Sequence, residues 1–322
     1  MQCMKRILTS HRTMSVSTSQ KRGEERERVK RRERLQTIAD DTLEAIDRGS
    51  YTLNGATVDL SVAILASKKG TQYYDPDSLL SGWAALRPQG SREVGDVSLL
   101  EVSTLEGARL LSAKLHAANP TSPPRKVGIL NFASATKPGG GFKNGAQAQE
   151  ESIARSSTLY PTLMMRVAQS FYKLHAHNPK GGYYSHAMIY SPGVAVFRDD
   201  DGAWIERLDV DVLTSAAVNA GSVRQGAADG ADDTAIEDKI AKLMRERMAR
   251  ILFLFEKQGV RNVVLGSFGT GVFRNKIDLV AGIWADLLLD DGSRFQGSFD
   301  HVVFAILGRE TYEEFERVFQ QR

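Results

Sequence analysis

From residue 24 to residue 48 the segment EERERVKRRERLQTIADDTLEAIDR spaces its apolar side chains, Val29, Leu35, Ile38, Leu43 and Ile46, as one face of a helix. Gly49 supplies the stop. Beyond it the period changes. Short apolar, β-branched runs alternate with longer helical patterns: VDLSVAIL from Val58, DVSLLEVS from Asp96, KVGILNFA from Lys126, HAMIYSPGVAVF from His186, LDVDVLTSAAV from Leu208, RNVVLGSFG from Arg261 and HVVFAIL from His301 read as strands. Between them TLEGARLLSAKLHAA, EESIARSSTLYPTLMMRVAQSFYKLHA, TAIEDKIAKLMRERMARILFLFEKQG and NKIDLVAGIWADLLL read as helices. Strands this continuously apolar must be covered on both faces, which predicts a three-layer α/β/α fold around a mixed, largely parallel sheet, with an N-terminal helical extension. FRDDDGAWI reads as a hairpin turn and GSVRQGAADGADD as a small polar loop.

Composition changes this picture little. A chain of 322 residues with 42% hydrophobic side chains can bury a substantial core. The single cysteine, Cys3, excludes a disulfide framework and a cysteine-rich metal site, and fits a reducing intracellular compartment, cytoplasmic or nuclear. No apolar run approaches the roughly 20 residues that cross a bilayer. Charge is unevenly placed: residues 1–22 hold Lys5, Arg6, Arg12, Lys21 and Arg22 and no acid, which fits either an unstructured start or a mitochondrial targeting segment. The arginines that follow are interleaved with glutamates, as on a solvated helix face, and do not by themselves predict DNA binding.

The chemistry lies in two glycine-rich loops. On a parallel sheet, ligands bind at the carboxyl ends of the strands. NFASATKPGGGF follows the strand ending near Asn131, and GSFGTGVF follows the strand ending near Leu265. Bare backbone of this kind lets a ligand meet peptide N–H groups directly, and before a helix it suits phosphate. A pyrophosphate held between Gly139–Gly141 and Gly269–Gly271 is the natural reading. Neither loop is a GxGxxG dinucleotide fingerprint or a Walker sequence. His175 and His177, two apart on a helix, face different ways and do not make a metal pair, and no serine sits in a GxSxG elbow.

Glu150 and Glu151 open the helix after the first loop. Neighbours on a helix point about 100° apart, so both carboxylates reach one crevice but not the same atom. One can orient a sugar hydroxyl while the other handles a proton. Cleavage of a glycosidic bond needs a carboxylic acid that keeps its proton near neutrality. A helix N-terminus opposes this by about 0.3–1 kcal/mol. A second negative charge at ~4 Å favours it by up to about 4 kcal/mol at an effective dielectric of 20.

The stretch LNFASATKPGGGFKNGAQAQEESIARSSTLY resembles the poly(ADP-ribose) glycohydrolase signature, a triple glycine followed after a short spacer by Gln-Glu-Glu, here Gly139–Gly141 and Gln149–Glu151. GSFGTGVFRN is similar to that family's diphosphate loop, and YSPGVAVFR to its microbial-type branch. The resemblance implies a macrodomain-like fold and hydrolysis of the ribose–ribose O-glycosidic bonds of poly(ADP-ribose), mainly from chain ends, reversing ADP-ribosylation with no metal and no cofactor. It makes Glu151 the general acid and then the base, and Glu150 the group that orients ribose hydroxyls. Gln149 joins the substrate-binding set. Gly140 and Gly141 would approach the distal ribose and diphosphate, with Gly269, Thr270, Gly271 and Val272 donating backbone contacts opposite and Phe273 capping the pocket. Where vertebrate-type members carry asparagine, this chain has Ser134, and Asn144 is the candidate substitute for the ribose-positioning amide.

The expected organisation is a tail over residues 1–22 and one catalytic domain over 23–322, its accessory part at 23–120 and its core at 121–322. Its partners would be poly(ADP-ribose) and ADP-ribosylated proteins, with no membrane, the chain acting as a monomer. Two other functions share the same pocket: removal of single ADP-ribose units from protein, and binding of ADP-ribose without turnover.

Overall fold

The computed structural model describes residues 18–85, 95–121, 123–228 and 232–322. Helix α1 (Thr18–Arg48) leads into a hairpin of β1 (Ser50–Leu53) and β2 (Ala56–Asp59), closed by Asn54 and Gly55, both at positive φ. Helix α2 (Ser61–Gly70), β3 (Gln72–Tyr74), β4 (Asp96–Leu100), α3 (Thr104–Ala118) and β5 (Val127–Phe132) follow. After β5 come three short helices, α4 (Gln149–Ser156), α5 (Leu159–Leu163) and α6 (Gln169–His177), then the hairpin of β6 (Met188–Arg198) and β7 (Trp204–Ser215). The chain ends with α7 (Ala220–Gln225), α8 (Asp233–Lys257), β8 (Asn262–Leu265), α9 (Ile277–Leu288), β9 (His301–Ala305) and α10 (Arg309–Phe319).

Seven strands form one sheet in the order β3-β6-β7-β5-β8-β9-β4. β7, β5, β8, β9 and β4 run parallel to one another, and β6 runs against β3 and β7. Alternation along the strands sends side chains to two cores. Leu130, Leu213, Val263, Leu265, Val302 and Phe304 meet α8, α9 and α10 on one face. Ile129, Val212, Val264 and Val303 meet α3, α5 and α6 on the other. This is the three-layer arrangement expected, and β3 and β4 belong to it although both precede residue 120. Among the described residues no helix is long and apolar enough to cross a membrane.

Four sequence expectations are corrected. VDLSVAIL is not a strand past Asp59: the Asp59 carboxylate accepts the Ser61 N–H (3.1 Å), and the chain turns into α2, which buries Ala63 and Ser67 while Val62 and Leu65 stay exposed. The long helix expected from Glu150 is broken at Ser157, which takes extended backbone angles and bridges Val196 of β6. Its hydroxyl donates to the Ile153 carbonyl and accepts the Leu159 N–H, satisfying groups that a continuous helix would have paired. The polar loop begins as α7, capped by Asn219, whose side chain accepts the Ser222 N–H; residues 229–231 lie outside the described residues. Residues 18–22, read as tail, are helical, and 1–17, with Cys3, lie outside the described residues.

Candidate active site

β5 and β8 are adjacent and parallel, so the loops that leave their carboxyl ends emerge side by side. Phe132, the last residue of β5, packs edge-on against Phe268 of the second loop (centroids 5.7 Å apart) and fixes their relation.

The first loop is tied to α4 by three successive side chains. Gln149 faces back to the sheet: its amide oxygen accepts the Phe132 N–H (2.8 Å), and its NH2 donates to the Leu130 carbonyl (2.6 Å) and the Thr104 hydroxyl (3.1 Å). Both ends of this amide are bonded within the protein, tying α4 to β5. Glu150, 2% exposed, accepts the Ser134 N–H (2.7 Å) and lies 3.5 Å from the Asn131 amide nitrogen. Glu151, half-buried, accepts the Gly141 N–H (2.9 Å). Glycine is required where the loop crosses them: Gly140 sits at φ +59°, and a β-carbon there would lie 2.2 Å from Glu151 Oε1 and 3.1 Å from Glu150 Oε2.

Burial raises Glu150 from 4.5 to about 8, the Ser134 N–H pulls the other way, and the charge of Glu151 adds to the rise. Glu150 therefore holds a proton near neutrality. The amide in contact with these carboxylates is that of Asn131, fully buried, whose NH2 also donates to Thr214 Oγ1 (3.2 Å) and whose oxygen has no partner among the described residues. Asn144 is exposed on the turn Phe142–Asn144 and contributes its carbonyl to Arg32 (2.8 Å). Ser134 acts through its N–H, while its hydroxyl accepts the Lys137 N–H (3.2 Å).

The second loop is held from below. Gly269, at φ +78°, has no room for a β-carbon, which would stand 2.4 Å from the Ala217 side chain. Asn275, buried, donates to the Gly269 carbonyl (2.9 Å) and the Val218 carbonyl (2.8 Å). The Thr270 hydroxyl donates to the Ser267 carbonyl (3.0 Å). Gly271 and Val272 are exposed, and among the described residues their N–H groups have no acceptor. Phe273 packs on Tyr184 (6.0 Å), which also meets the His175 ring.

Arg247 of α8 lies fully buried beneath this region and donates to the Ala216 carbonyl (2.9 Å) and the Tyr183 carbonyl (3.0 Å), with no carboxylate partner among the described residues. Burial first, and Arg250 second, hold its pKa down at about 9. His175 is buried and kept neutral, its pKa lowered to about 4 by burial and then by Arg247, whereas His177 is exposed. Among the described residues no three His, Cys, Asp or Glu side chains are grouped to hold a metal.

Sequence reasoning did not find Asn131, Asn275, Tyr184 or Arg247. Asn131 carried a signal, a polar residue inside an otherwise apolar strand. Tyr184 carried none.

A half-buried carboxylate beside a buried partner, held by main-chain N–H groups at the carboxyl edge of a parallel sheet and facing a second glycine loop, defines a site for acid–base work on a phosphorylated sugar. Residues 39–199 match the family model of the microbial-type PARG catalytic domain. The chain is 37% identical to poly(ADP-ribose) glycohydrolase from Thermomonospora curvata, over 89% of this chain and 100% of that one, with a TM-score of 0.79. The same enzyme bound to the inhibitor ADP-HPD gives 37% identity and 0.76, covering 89% and 99%. The Deinococcus radiodurans enzyme in complex with ADP-ribose is 30% identical, covering 84% and 99%, with a TM-score of 0.68. No protein of curated function matches. The chain belongs to the microbial-type poly(ADP-ribose) glycohydrolase family.

Proposed function

We infer that the protein hydrolyses the ribose–ribose O-glycosidic bonds of poly(ADP-ribose) and releases ADP-ribose. The observation that carries this reading is the contact of Glu151 with the triple-glycine backbone, which passes so close to both carboxylates at Gly140 that no side chain fits between them. Glu151 protonates the leaving oxygen as the glycosidic bond breaks and positive charge develops at the sugar carbon. Its carboxylate then takes a proton from the water that attacks that carbon, restoring the acid. Glu150, fixed by Ser134 and Asn131, receives ribose hydroxyls. The diphosphate lies between the Gly139–Gly141 backbone and the free N–H groups of Gly271 and Val272. Phe273 and Tyr184 close the nucleotide end, which favours cleavage from chain ends.

The test is incubation with poly(ADP-ribose) and chromatography of the products, beside Glu151→Gln. The parent is expected to release free ADP-ribose, and the variant to lose at least about 10³-fold in turnover while binding ADP-ribose as before. Intact polymer with the parent protein, ligand binding retained, makes the chain a reader of ADP-ribose. Loss of single protein-linked units with the polymer uncut makes it a mono-ADP-ribosyl hydrolase.

A further inference from the structure

The leaving oxygen in this reaction belongs to the next ADP-ribose unit, so the remaining polymer must leave the crevice on the side of Glu151. On that side lies a groove of about 430 Å³, between α1 and residues 145–147, within the size range of small-ligand sites. Its wall reaches the catalytic carboxylate through two hydrogen bonds: Ala146 N–H to the Gly141 carbonyl (3.2 Å), and Gly141 N–H to Glu151 (2.9 Å). Its opposite wall carries Arg28, Arg31 and Arg32. We propose that this groove is a second binding site, which holds the diphosphate of the ADP-ribose unit adjoining the scissile bond. The proposal rests on the glycohydrolase reading above.

Three observations favour a polyanion over a merely solvated helix face. Arg31 has no hydrogen-bond or ion-pair partner among the described residues, so its charge is uncommitted. Arg32, which lines the groove, donates from Nε to the Asn144 carbonyl (2.8 Å), and its terminal nitrogens have no partner among the described residues. The walls are also in fixed contact, since a β-carbon on Gly145 (φ +69°) would stand 2.4 Å from the Arg32 carbonyl oxygen. Opposing charge is limited to Glu25, which pairs with Arg28 at 2.8 Å, both side chains well exposed. A pair of that kind is weak and yields readily to a diphosphate. Val29 and Leu35 add an apolar floor against which a base can lie.

The test compares binding of ADP-ribose and of short poly(ADP-ribose) chains at several salt concentrations, in Glu151→Gln and in the same protein with Arg28→Ala and Arg31→Ala. Both arginines are exposed, so melting temperature is expected to be unchanged. Chains are expected to bind about tenfold tighter than ADP-ribose, and the arginine variant to lose that advantage, with a salt slope smaller by about 0.7 per lost phosphate contact. Affinity for ADP-ribose should stay the same, and Arg28→Lys with Arg31→Lys should restore chain binding. Equal chain affinity and salt slope in the two proteins would overturn the groove, whatever the parent does to polymer. Loss of chain affinity in a protein whose parent does not cut polymer would instead uphold the groove and overturn the activity.

Discussion

Glu150 is buried in a place where ionisation is costly, and this ties stability to pH. Its folded pKa, about 8, lies above the 4.5 of an unburied glutamate. The folded state therefore keeps a proton that the unfolded chain releases, and stability falls as pH rises from about 4.5 through 8, by up to about 5 kcal/mol if the full displacement is realised. Glu150→Gln removes the ionisation. Its melting temperature should exceed that of the parent at pH 8–9, and the gap should close by pH 5; a constant gap would contradict this account. At Gly140 a methyl group meets Glu151 at 2.2 Å in a backbone conformation that alanine resists, so Gly140→Ala should lower kcat/KM by about 100-fold or more and lower the melting temperature by a few degrees, as about 1–3 kcal/mol of backbone strain requires. Both glutamates and the glycines were legible because glycine runs and paired acids are rare enough to attract notice. Asn131 was passed over because a buried amide in a strand looks like any core polar residue until its neighbour is known.

At the scale of elements, the site depends on how two loops are fastened. Gln149 clamps α4 to β5, and Asn275 clamps the second loop to the chain after β7. Asn275→Ala should leave the Val218 carbonyl unpaired and the Gly269 carbonyl with the Asn275 N–H alone, and raise the Kd for ADP-ribose about tenfold, with kcat less affected, as measured by titration and steady-state kinetics. Strands β5, β7, β8 and β9 were readable from apolar runs alone, since burial on both faces leaves no other pattern. Helix α2 was not, because VDLSVAIL satisfies both periods and the turn at Asp59 decides between them. The break at Ser157 was hidden for a related reason: strand β6, distant in sequence, offers Val196 and Ala195 as partners, and only the assembled sheet brings them there. The amphipathic run of α10, by contrast, had a clear helical period, with Phe315 and Val318 buried, and was overlooked.

Over the whole molecule, α8 is the central support of one layer, buried from Arg247 through Glu256. Residues 22–34 of α1 are exposed throughout. Hydrogen exchange should therefore be slowest in that part of α8 and fast over residues 22–31, by several orders of magnitude. Arg247 extends this support to the crevice. Among the described residues it is a cation without an acid partner, giving its hydrogen bonds to Ala216, beside the floor of the second loop, and to Tyr183, next to Tyr184. A pocket braced in this way has no melting point of its own: the same helix whose unfolding ends the structure also holds the nucleotide end in shape. Thermal inactivation should follow the calorimetric transition rather than precede it, and heating just below that transition should leave the enzyme fully active on cooling.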